Sequence, residues 1–116
     1  MKADELKSRS KTFGLKVIQL VEQLPKRKAT EVIGWQLLRA ATAVGANYRS
    51  ACRARSQADF VSKIGIVEEE ADEAAFWLEL LDELVPGDGV MALLNEAQEL
   101  TAIFAASEKT SRQHSR

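Results

Sequence analysis

Few residues in this sequence have both the type and the spacing to do chemistry. A nucleophilic serine or cysteine needs a base held beside it, and His114, the one histidine, sits in a polar stretch near the carboxyl terminus. Cys52, the one cysteine, falls on an inner line of small residues and reads as a packed thiol. Glu68, Glu69, Glu70, Asp72 and Glu73 form an acidic run. Bundles that house two metal ions use inward glutamates together with Glu-x-x-His pairs. With no histidine in reach, the run is expected to be a solvated face holding no metal or other cofactor. Gly87-Asp88-Gly89 reads as a turn followed by a helix cap and not as a phosphate loop. The expectation is a protein that is not an enzyme.

Two constellations stand out. Trp35, Arg39, Thr42, Ala46, Arg49 and Arg53 recur in steps of four and three, and Arg55 follows. Guanidinium groups bind phosphate bidentately and rings stack on bases, so this face could grip an RNA or DNA backbone. Trp and Arg are equally enriched at protein interfaces. The favoured expectation is a seam in which Arg39, Arg49 and Arg53 meet carboxylates such as Glu69, Glu70 or Glu73, within or across subunits. In the nucleic-acid alternative, Lys26, Arg27 and Lys28 add phosphate contacts. The second constellation is apolar. Phe76 falls among acidic residues, and Trp77, Leu80 and Leu84 continue a surplus apolar line, which marks these four as candidates for a homo-oligomer interface.

The elements that position these groups follow from composition and period. The 116 residues are 46% hydrophobic and 28% charged, with six Gly and two Pro, the balance of one globular, helical domain. A chain of this length buries roughly two thirds of its unfolded surface without help from metals or disulfides. A lone cysteine, no secretory signal and no membrane-length apolar run lead to the expectation of a cytoplasmic protein with no membrane partner. No small-molecule substrate is evident. Net charge is −1, but residues 1–63 carry 13 Lys/Arg against 5 Asp/Glu, and residues 64–116 carry 3 against 12. Basic early helices should therefore pair with acidic later ones, within or between subunits.

Apolar steps of three and four predict helices over about 4–24, 30–54, 57–85 and 89–106. Leu6, Phe13, Val17, Leu20 and Leu24 form the first stripe, with Ser10 in the missing step, and Pro25 ends that helix. Thr30 is placed to cap the second helix, whose inner stripe is Ile33, Leu37, Ala40, Val44, Tyr48 and Ala51. Gly34, Ala41, Gly45 and Cys52 run alongside, and two glycines inside a helix imply that another backbone passes close. Asn47 lies beside the stripe and is expected to be a buried amide bonded across the bundle or to backbone. Ser56-Gln57-Ala58-Asp59 resembles a capping box and opens the longest stripe, from Phe60 to Val85. Val90, Leu94, Ala97, Thr101 and Phe104 form the fourth. Residues 107–116 have nothing to bury and are expected to be a disordered tail. The fold class is all-α, an up-down-up-down antiparallel four-helix bundle spanning 1–106.

The segment from Ala46 to Leu81, with Asn47, Tyr48-Arg49-Ser50-Ala51-Cys52-Arg53 and then Lys63-Ile64-Gly65-Ile66-Val67-Glu68 through Trp77, resembles a family of four-helix bundles. Its members are encoded in intervening sequences of bacterial 23S ribosomal RNA genes, and it includes the accessory variability determinant of diversity-generating retroelements. The resemblance extends in pattern from about Phe13 to Phe104. It implies a four-helix subunit that assembles into a ring, with a homopentamer as the known form. Retroelement members are strongly basic and look like partners of nucleic acid and reverse transcriptase, whereas this chain has a pI of about 5.9. The reading is a non-enzymatic oligomeric bundle acting as scaffold or interaction module, with a nucleic-acid-binding ring as the alternative.

Overall fold

Apolar residues in steps of three and four produce four helices in the computed structural model, which describes residues 1–114 and every side chain among them except that of Asp88. They are α1 (Ala3–Glu22), α2 (Lys28–Ala51), α3 (Gln57–Leu84) and α4 (Asp88–His114). Connections at 23–27, 52–56 and 85–87 are too short to let neighbours run parallel, so the helices alternate in direction. Each packs along the next in sequence, and α1 meets α4 through a thinner seam that closes the cycle. Across the diagonals the backbones stay apart. The result is a rod of 49 × 22 × 19 Å. No helix among the described residues is long and apolar enough to cross a membrane.

The stripes read from the sequence supply the core. Leu6, Phe13, Val17, Ile33, Leu37, Val44, Ile64, Val67, Leu78, Leu81, Leu94 and Leu100 are buried, and Tyr48 meets Phe104 across a diagonal with ring centroids 5.3 Å apart. Ser10 fits the missing step of α1 because its hydroxyl donates to the Leu6 carbonyl at 2.7 Å, so its polarity is satisfied locally.

The expected close backbone approach is found where α1 crosses α2. A Cβ built on Gly45 would lie 3.6 Å from the backbone of Ser10 and Lys11, and one on Gly14 would lie 3.7 Å from the Ala41 carbonyl oxygen. At Gly34 the neighbours are side chains instead, Val21 and Leu24. Of the two α2 glycines expected to mark a close backbone, only Gly45 does so, and the other half of that crossing is Gly14.

Helix ends depart from the expected bounds, with α1 ending at Glu22 and α2 at Ala51 where 24 and 54 were expected, and three further differences concern caps and the tail. Thr30 does not precede α2 but sits inside its first turn, where its hydroxyl accepts from the Arg27 N–H at 3.3 Å and donates to the Pro25 carbonyl at 2.5 Å. The helix therefore begins two residues early, at Lys28. Ser56 caps α3 as expected by accepting from the Asp59 N–H at 3.0 Å, but Asp59 reaches back to the Arg55 N–H and not to that of Ser56. That backbone bond, aided by Lys63, holds the Asp59 carboxyl below its ordinary pKa. At the turn and cap expected over Gly87-Asp88-Gly89, α4 begins at Asp88, whose side chain lies outside those described.

The third difference corrects the tail. Residues 107–114 continue α4 as helix. Neither Gly nor Pro occurs after Gly89 to stop it. Arg112 donates to Glu108 one turn back, at 2.9 Å, and Gln57 of α3 donates to the Ser111 carbonyl at 3.0 Å. Arg112 and His114 also place positive or protonatable groups at the negative end of the helix dipole. Residues 115 and 116 of the expected tail lie outside the described residues.

Candidate functional site

The outer face of α2 divides into two parts. Arg39 bridges to α3, pairing with Glu73 and, at 3.5 Å, with Glu70. Glu73 also accepts from the indole N–H of Trp77 at 3.0 Å. One carboxylate thus ties the second helix to the aromatic of the third, an intramolecular seam between the basic and acidic halves. Arg49 and Arg53, expected to meet carboxylates as Arg39 does, are instead exposed and make no ion pair among the described residues. Trp35 projects outward and is 75% exposed.

Helix packing brings Arg49 beside two cations that the sequence reading missed, Lys7 and Lys11 of α1. The three line a groove of about 630 Å³ between α1 and α2, floored by Gly14, Ile18 and Gly45. Their four-residue spacing on one face of α1 was the available signal. Arg55 lies apart, at the α2–α3 corner. Lys26, Arg27 and Lys28 are at the opposite end of the bundle, about 33 Å along α2 from Arg49 at 1.5 Å per residue. The structure therefore does not unite all the expected phosphate contacts into one patch.

On α3, Phe76 is exposed as expected, and it stacks edge-on against Trp77 with centroids 5.0 Å apart. Leu84 is also exposed, while Trp77 and Leu80 are partly covered by their own core. Asn47 is corrected from buried to half-buried. It sits one step outside the Ala40–Val44–Ala51 line and donates to the Ala43 carbonyl of its own helix at 2.9 Å, with no bond across the bundle.

The profile of the 23S rRNA-intervening sequence protein family matches residues 3–106. The chain belongs to that family. A crystal structure of a protein of unknown function from the S23 ribosomal protein family of Bacteroides thetaiotaomicron superposes with a TM-score of 0.84 at 32% identity, covering 94% of this chain and 99% of that one. No curated protein matches. The family match stops at 106, whereas α4 runs eight residues further, to His114.

That extension completes the wall around a cleft at the end of the bundle where α1 begins. Leu6, Tyr48, Cys52, Phe60 and Ile103 line it, with Ser107 and Ser111 at the rim. Burial, aided by the neighbouring Cys52, pushes the Tyr48 phenol well above its ordinary pKa, so it stays a neutral hydroxyl. Among the described residues no group of three or more His, Cys, Asp or Glu converges as a metal site.

The extension also creates a carboxyl pair. Glu108 comes beside Glu68 of α3, and this neighbour, burial and repulsion from Asp72 and Glu69 raise the Glu68 pKa. Arg112 holds Glu108 in the opposite direction. A raised carboxyl pKa in the folded state stabilises at low pH, and that contribution is lost as pH rises through the folded value. Near pH 7 Glu68 is therefore a liability. Glu68→Gln should raise the melting temperature at pH 7 by about 1–2 °C, the scale of a relieved like-charge pair, with the gain fading below the ordinary glutamate range. Thermal melts at both pH values check this, and a loss of stability at pH 7 would contradict the assignment.

Proposed function

We propose that this family member is a non-enzymatic helical subunit that assembles with copies of itself and acts in the cytoplasm as a scaffold or interaction module. The observation that carries this reading is the large apolar surface left in water. Trp35, Val32, Leu15, Ile66, Phe76, Leu84 and Met91 are all exposed, on more than one face of a rod that has already filled its core. Surplus of that kind on a folded chain favours an interface. The family resemblance supports a homopentamer. Light scattering on the purified chain should return an integral multiple of 12.8 kDa, five for the pentamer. A mass equal to one chain across the accessible concentration range would end this reading.

A second reading is favoured by one observation. Arg49, Arg53, Lys7 and Lys11 leave their charges unspent on carboxylates, and such a cluster suits phosphate backbones. If nucleic acid is the partner, RNA or DNA affinity should fall steeply with salt, by a slope of about −0.9 per phosphate neutralised on duplex DNA. No binding even at low salt would remove it.

A further inference from the structure

We propose that the groove between α1 and α2 receives an acidic ridge of α3 from a second copy, so that copies join front to back. This rests on the self-assembly reading and adds which surfaces meet.

The ridge is Glu69, Asp72, Phe76, Glu79 and Glu83, steps of three and four along one line of α3, all exposed and without ion pairs among the described residues. It offers one large ring at its centre and four carboxylates around it. The groove offers the converse, with Lys7, Lys11 and Arg49 around an apolar floor that continues to the exposed Leu15. A ridge of side chains seated between two helices is how helices ordinarily pack. Complementary charge fixes partner and orientation more than it adds raw affinity.

The packing order sets the symmetry. Contacts run α1–α2–α3–α4–α1, so the groove between α1 and α2 faces away from the side where α3 and α4 face solvent. Groove and ridge of one molecule cannot touch each other. A two-fold contact through either surface would set like charges together. What remains is a heterologous contact, groove to ridge, which yields a ring when the rotation closes and a filament when it does not.

The experiment uses two full-length variants: Lys7→Glu/Lys11→Glu/Arg49→Glu, which makes the groove acidic, and Asp72→Lys/Glu79→Lys/Glu83→Lys, which makes the ridge basic. Circular dichroism melts confirm that each folds, and light scattering reads assembly. Each variant alone should lose self-association by roughly tenfold or more, since like charges then meet across the contact. Mixing the two should restore groove-to-ridge association in open, alternating species, while a closed ring of five, which cannot alternate, should not re-form. A chain carrying all six changes should assemble by itself. If the wild type assembles and either variant assembles equally well, the pairing is overturned while self-assembly stands. If the six-fold chain folds yet stays dissociated, the pairing is likewise overturned. A monomeric wild type overturns both readings, and one that binds RNA only while its groove is basic assigns the groove to nucleic acid.

Discussion

Phe104→Ala should lower the melting temperature by about 10–20 °C, the result of losing about 3–5 kcal/mol of packing. Phe104 is wholly buried, and its ring reaches from α4 across the diagonal to Tyr48 of α2. It is one of the two largest fully buried side chains, and its contacts bind helices whose backbones never meet. Truncation leaves a cavity that neither α2 nor α4 can fill without abandoning α3. Urea titration should show a lower midpoint at unchanged slope, with protein concentration held fixed because self-association couples to stability. A change below about 1 kcal/mol would mean that this core contributes far less than large-to-small substitutions in other cores do.

Gly14 should give the next largest effect, and one that changes sign with size. At 3.7 Å from the Ala41 carbonyl oxygen, an added methyl makes ordinary contact. Gly14→Ala should therefore be neutral or stabilise by up to about 1 kcal/mol through helix propensity. Gly14→Leu has no such room, because the position is buried against the α2 backbone. It should cost about 1–3 kcal/mol by forcing the two helices apart. Denaturant midpoints of the pair test this. Equal effects from Ala and Leu would show that α1 does not lie as close to α2 as the crossing requires.

The core was legible in the sequence because burial follows a period that a single chain displays. Every member of the α2 stripe from Ile33 to Ala51 is buried, and the pairing of Arg39 with Glu70 and Glu73 followed from the split of charge between the halves. Less visible was whatever depends on how helices register in space. Arg9 holds Glu96 by two bonds of 2.8 Å, yet the two are 87 residues apart and nothing local marks them as partners. Lys7 and Lys11 gain meaning only when α2 sets Arg49 beside them. Residues 107–114 were misjudged for a related reason. Their polarity said that they bury little, but helicity there is sustained by the Glu108–Arg112 pair and by Gln57 reaching over from another helix. Polarity alone reports burial and not backbone conformation.

The thin closure between α1 and α4 grades the strength of the rod. α3 is clasped along both flanks, whereas α1 is held along one flank by α2 and meets α4 through a thinner seam that includes the Arg9 guanidinium's grip on Glu96 and Glu99. Local opening is cheapest where the fewest contacts must be broken. Unravelling therefore starts at the first helix, whose amide hydrogens trade with solvent soonest, and the third helix is the last to let go.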